Sequence, residues 1–232
     1  MKIAFFTEGD WRGYVEANHP NMRTEMAWMH KLAAYHYPIK GNEELEDHYD
    51  LGVCIIPKNN PSFNLARIKK NCKEVAVMQE GPNWYWQDYN LKDQVEYFKT
   101  LQECDFIFVH NKSDKKYYEG LTQKPCKILR SLIIEPPLKK LSPSERENIM
   151  IGGNFCSWYG GFDSYIVAQE FGVPLYAPSM GRKIKGEEQI PDLTHLPFMG
   201  WKDWMFKLAE FKYGIHLMQT YAAGSFMMNC GY

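Results

Sequence analysis

The chain has 232 residues, 45% of them hydrophobic and 24% charged, which is enough to bury the core of one large domain or two small ones. With 27 Lys+Arg against 28 Asp+Glu the formal net charge is -1, which excludes a strongly basic polyanion binder and an acidic solvating tail. No apolar run approaches the roughly 20 residues of a membrane span, and Glu8 interrupts the amino terminus before a signal-like apolar segment can form. The six cysteines, at positions 54, 72, 104, 126, 156 and 230, never form a C-x-x-C pair. They read as reduced thiols of a cytoplasmic protein, mostly buried.

In chain order, short apolar runs alternate with amphipathic stretches. Residues 2–7, 51–57, 75–79, 105–109 and 127–133 read as buried strands. Residues 23–36, 62–73, 91–103 and 112–120 read as helices between them; Leu91, Val95, Phe98 and Leu101 show the helical spacing in the third. Strands that are apolar throughout and alternate with helices predict a parallel sheet covered on both faces, so residues 1–134 form a doubly wound α/β domain. Residues 135–148 carry three prolines and no strand pattern, and read as a linker. The pattern restarts at 149–152 (strand), 162–171 (helix), 173–177 and 196–199 (strands), 201–211 (helix), 213–218 (strand) and 222–232 (helix start). Residues 149–232 are therefore a second domain of the same kind, and an incomplete one, because no strand follows its last helix. The expected architecture is two Rossmann-like domains facing a cleft.

Ligands of open α/β sheets bind where strands end and helices begin. The loop after the first strand, Thr7–Gly13, is not G-x-G-x-x-G, and no G-x-x-x-x-G-K-[ST] occurs, so neither a dinucleotide fingerprint nor a P-loop is present. It reads either as a tight turn that needs Gly9 or as an acceptor-binding loop. Gly152-Gly153…Gly160-Gly161 brackets a strand-to-helix crossing with two glycine pairs, and glycine lets backbone N–H groups approach a ligand oxygen. Ala222-Ala223-Gly224-Ser225 follows the last strand with small residues and one hydroxyl donor. Arg182 can neutralise a diphosphate. Glu80 and His110 stand at strand ends, where a carboxylate or an imidazole can act as general base toward a hydroxyl. Each of these has a plain alternative in a solvated, capping or packing side chain. No D-x-D occurs, which argues against the metal-dependent donor site of single-domain transferases.

The two α/β halves, the proline linker and the glycine-rich turns resemble the GT-B class of glycosyltransferases. Residues Leu196–Ala209 resemble the strand-Gly-aromatic-helix element of its retaining, nucleotide-sugar-dependent members, which lies against the donor base, and Ala223–Asn229 resemble their phosphate-binding helix start. In that family two glutamates eight positions apart frame the helix start; Tyr221 and Asn229 stand there in this chain. The resemblance implies a nucleotide-diphosphate sugar as co-substrate, with no cofactor or metal. Gly153, Arg182, Trp201, Gly224 and Ser225 then form the donor site, and Glu80 and His110 are the catalytic candidates. The acceptor hydroxyl belongs to a glycan, a small molecule or a modified DNA base. The competing expectations are a non-catalytic sugar- or nucleotide-binding protein on a degenerate scaffold, which the missing glutamates favour, and a sugar-nucleotide epimerase.

Overall fold

The computed structural model describes residues 1–231 except 58–60, 80, 82, 135–146, 153, 154, 156–158, 179–189 and 219–224, and the side chains of Ser225 and Met228. Its described residues fall into two compact units, one built mainly on 1–19 and 23–132, the other on 20–22, 133–134, 147–218 and 225–231.

The first unit is a seven-stranded sheet. Its strands are β1 (Ile3–Thr7), β2 (Gly13–Tyr14), β3 (Tyr35–Pro38), β4 (Tyr49–Ile56), β5 (Cys72–Gln79), β6 (Phe106–Val109) and β7 (Cys126–Ile128), in the order β2-β3-β1-β4-β5-β6-β7. Every pair is parallel except β2 with β3. All five residues of β1 are buried, as expected for a central parallel strand with both faces covered. Gly52 in β4 is forced by packing: a Cβ there would lie 2.8 Å from Cys72 Sγ and 3.3 Å from Ile68 Cγ2.

Its helices are α1 (Thr24–Lys31), α2 (Leu65–Asn71), α3 (Leu91–Glu103) and α4 (Lys112–Thr122). Asparagine starts three of them in the same way. Asn64, Asn90 and Asn111 each accept with Oδ1 from the backbone N–H three residues on, at 3.0, 3.0 and 2.8 Å, filling one of the donors that a helix start leaves open. The core runs from Phe6 and Tyr37 to Tyr97 and Ile107. Its two buried phenol pairs, Tyr37–Tyr49 and Tyr97–Tyr118, are each joined at 2.9 Å. Cys54, Cys72, Cys104 and Cys126 are free and buried, and burial pushes the Cys72 and Cys104 thiols up to about 12.

The second unit holds β8 (Ile149–Ile151), β9 (Leu175–Pro178), β10 (Leu193–Leu196) and β11 (Tyr213–Ile215), all parallel, in the order β10-β9-β8-β11. Its helices are α5 (Gly161–Gln169), α6 (Trp201–Leu208) and α7 (Ser225–Cys230). Alternate residues of β8 feed opposite faces of this sheet. Ile149 and Ile151 pack with Tyr165, Ala168 and Leu175, whereas Met150 packs with Leu196, Leu208 and Phe226.

Three expectations need correction. The helix expected over 23–36 stops at Lys31, because Ala33 takes a left-handed φ of 46°, and the chain then enters β3. The strand expected at 127–133 occupies only Cys126–Ile128. The strand expected at 196–199 lies at Leu193–Leu196, ahead of Pro197, which has no N–H for a ladder.

Candidate functional site

At the carboxyl edge of the first sheet, β6 delivers His110. Its Nδ1 is buried and has no hydrogen-bond partner among the described residues, and its ring stacks on Trp28 with centroids 6.2 Å apart. Trp28 is itself fixed, donating Nε1–H to the Arg130 carbonyl at 2.9 Å. Burial drives the His110 pKa down to about 4, so near neutral pH the ring is uncharged, and its Nδ1 is unsatisfied among the described residues. Next to it, Asn111 starts α4 and Asp114 sits in the first helical turn, 3% exposed. Asp114 Oδ1 accepts from Asn83 Nδ2 at 3.0 Å and Oδ2 from Asn111 Nδ2 at 2.8 Å. Burial outweighs these two bonds and raises the Asp114 carboxyl to about 6.

At the end of β1 lies a constellation that sequence reasoning missed. His36 on β3 is fully buried; its Nε2 is 2.8 Å from Thr7 Oγ1 and its Nδ1 2.8 Å from the Trp11 carbonyl oxygen. A carbonyl only accepts, so the bond to Trp11 assigns the proton to Nδ1, and Nε2 accepts from the Thr7 hydroxyl. The Trp11 ring covers the imidazole at 4.0 Å. Gly9 makes room for it: a Cβ there would stand 2.8 Å from Trp11 Nε1 and 3.3 Å from His36 Cε1. Gly9 thus serves this stack as well as a turn. The arrangement links a hydroxyl, an imidazole and an orienting carbonyl through two hydrogen bonds, and burial holds His36 uncharged, with its pKa lowered to about 4. The one signal for it in the sequence is Tyr35-His36-Tyr37, an alternation directly before Pro38.

In the second unit, Gly152 and Gly214 form a seat for the Phe226 ring. A Cβ at Gly152 would fall on that ring, and one at Gly214 would come within 3.3 Å of it and 2.7 Å of Cys230 Sγ. Gly160 precedes α5 at φ 64°, and a Cβ there would fall on the Leu217 carbonyl. Ser164 ties this crossing together: its hydroxyl donates to the Gly160 carbonyl at 2.6 Å and accepts from Leu217 N–H at 2.8 Å. His216, following β11, lies 3.1 Å from the Tyr159 carbonyl through Nε2, and its buried Nδ1 has no partner among the described residues. Burial lowers its pKa.

Of the residues singled out from sequence, Trp201 opens α6. It is buried and lies 3.4 Å, through Nε1, from Asn229 Oδ1 on α7. Ser225 is the first residue of α7, so these two candidates sit on helices that pack together. Asn229, which stands at the second glutamate position of the resembled family, is buried against Trp201. Glu80, Gly153, Arg182 and Gly224 lie outside the described residues. Among the described residues no three His, Cys, Asp or Glu side chains gather as metal ligands, and no helix is long and apolar enough to cross a membrane.

No family profile matches the chain, and no curated protein sequence matches it. Its fold is similar to that of a solved protein. The likeness is to a mutant of S. aureus TarM, crystallised in complex with fondaparinux, alpha-GlcNAc-glycerol and UDP, with a TM-score of 0.55 and 10% identity. The match covers 78% of this chain and 39% of the TarM chain, so this chain spans well under half the length of that neighbour. At that identity the likeness is one of fold alone, and it agrees with the mixed α/β architecture built on parallel sheets.

Proposed function

We propose that this chain takes part in glycosyl transfer, moving a sugar from a nucleotide-diphosphate donor to an acceptor hydroxyl. The observation that carries the reading is the similarity of its fold to a structure that holds UDP and a GlcNAc-bearing glycerol. The physical argument adds to this: parallel α/β sheets offer ligands the loops at their carboxyl edges, and the second unit brings β8, β9 and β11 to such an edge.

On this reading the donor occupies the second unit. Gly153 and Gly224 let backbone N–H groups reach the diphosphate, Ser225 adds a hydroxyl and Arg182 a charge, and together they stabilise the leaving group. Trp201 holds the α6–α7 pair beside the base. The nucleotide sugar is a co-substrate and no cofactor is required. A general base on the first unit, Glu80 or His110, is needed if the reaction inverts configuration. Burial keeps His110 neutral, so one ring nitrogen carries the lone pair that role requires. The acceptor is a glycan, a small molecule or a modified DNA base.

The test is calorimetric titration of the chain with UDP and other nucleoside diphosphates, followed by a sugar-release assay with the matching nucleotide sugars. Loss of a charge-assisted contact costs about 1.5–3 kcal/mol, so Arg182→Ala is expected to weaken nucleotide binding roughly 10- to 150-fold in a protein that still folds by circular dichroism. No binding of any nucleoside diphosphate refutes the reading. Binding without turnover reduces it to a carrier or sensor on the same scaffold.

A further inference from the structure

The segments that leave β5 and β6 emerge side by side, because these strands pair through Ala76↔Phe106, Val77↔Ile107 and Met78↔Phe108. One buried carboxylate joins them. Asp114 accepts from Asn83, on the β5 side, and from Asn111, on the β6 side. Asn111 directly follows His110, and Asn83 follows Glu80 by three residues. We infer that Asp114 is a positioning residue, which fixes His110 through Asn111 and ties it to the segment that follows Glu80.

Several observations carry this. An acidic residue in a first helical turn gains from the helix dipole while staying in water, yet Asp114 is almost completely buried. A buried carboxylate is costly unless its oxygens are matched by donors, and one of the two donors here comes from 31 residues away. The bond to Asn111 is reciprocal: Asn111 Oδ1 accepts from the Asp114 N–H while its Nδ2 donates to the carboxylate, so the backbone beside His110 is held in a closed ring. A second pin lies one helical turn further along both segments, where Trp86 Nε1 donates to Tyr117 Oη at 3.1 Å. The His110 side chain makes no hydrogen bond among the described residues, so its placement comes from Trp28 and from its own backbone, and that backbone is what Asp114 holds. The clamp stands on this geometry alone; its catalytic consequence rests on the glycosyl-transfer reading.

A pair of variants tests it. Asn83→Asp sets two carboxylates against each other and breaks the link, whereas Asn83→Asp combined with Asp114→Asn restores it with donor and acceptor exchanged. Asn111 keeps its acceptor in both proteins. The readouts are amide hydrogen exchange over residues 83–89 and 110–114, and kcat, KM and nucleotide affinity in the sugar-release assay. Hydrogen bonds to a charged group are worth about a factor of ten or more, so Asn83→Asp is expected to speed exchange in both segments about tenfold and to lower kcat about as much, with nucleotide affinity unchanged. The double variant is expected to recover both. Unchanged exchange over 110–114 in Asn83→Asp overturns the clamp. Recovered exchange with kcat still depressed overturns the positioning role. A normal clamp in an unmodified chain that turns over no nucleotide sugar instead refutes the glycosyl-transfer reading, and with it the catalytic consequence.

Discussion

The seat of Phe226 offers the sharpest test of the second unit. Gly152→Ala adds one methyl group at a point already occupied by the Phe226 ring, which is 7% exposed and packed with Met150, Leu196 and Leu208. Gly152 has no positive φ, so alanine meets no backbone penalty and the whole effect is collision. The ring belongs to a six-residue helix, and the cost is that of overpacking, about 1–3 kcal/mol. Phe226→Ala removes the ring and is expected to cost about 3–5 kcal/mol. In the double variant the new methyl enters the vacated space, so the two losses fall short of their sum by about 1–3 kcal/mol. Native-state hydrogen exchange at Ile149–Ile151 reads this unit separately from the other: Gly152→Ala should speed exchange there about 5- to 150-fold. Unchanged exchange in the single variant, or strictly additive losses in the double, refutes the seat.

Two further outcomes are expected. Gly160→Ala forces a side chain into a left-handed position and onto the Leu217 carbonyl, so it should lower the unfolding free energy measured in urea by more than the roughly 1 kcal/mol of the backbone strain alone; an unchanged urea midpoint contradicts this crossing. Stability should also fall as pH drops from about 6.5 toward 4, because burial holds His36 and His110 near about 4, below their ordinary value of 6.5, and unfolding lets both take up protons. The stabilisation from the neutral rings is complete above the unfolded value and is lost as pH falls through the folded one. Asp114 works the other way: its raised carboxyl keeps a proton that the unfolded chain releases between about 4 and 6. His216 acts in the same direction as the other two imidazoles, so the net effect against one carboxyl is acid destabilisation. Urea midpoints at pH 5 and pH 7 should therefore differ, and His36→Gln should narrow the gap; equal midpoints in the parent protein refute the assignment.

The first sheet was readable because its strands are short, apolar and β-branched, and because β4 stops at Ile56, ahead of Pro57. The span of α3 agrees with its helical spacing, and the second half of the expected stripe faces the core, with Leu101 buried and Phe98 packed against it, but the first half does not. Leu91 and Val95 are 77% and 46% exposed, while Tyr97, Thr100 and Leu101 turn inward. Spacing reports a helical period, and only the neighbouring strands decide which stripe is covered. β3 was hidden because Tyr35-His36 prolongs an amphipathic pattern, and the left-handed residue that breaks it is an alanine, which gives no signal of its own. His36 meets Thr7 across 29 residues of chain through strand register, a relation that no local motif records. Gly152 was visible as part of a glycine pair, but its use as a socket for an aromatic ring needed the position of α7.

The order β10-β9-β8-β11 also has a kinetic side. Chains emerge amino-terminus first, and β8 can pair with β9 as soon as residue 178 is made. Its other edge has no partner until Tyr213–Ile215 arrive, more than thirty residues later. During that interval Ile149-Met150-Ile151, three buried apolar residues in the finished protein, form an open sheet edge with an unfilled socket at Gly152. Such an edge is a template for pairing with other chains. The second unit thus carries a window in its synthesis when a chaperone, or slow dilution during refolding, decides between β11 and a neighbouring molecule.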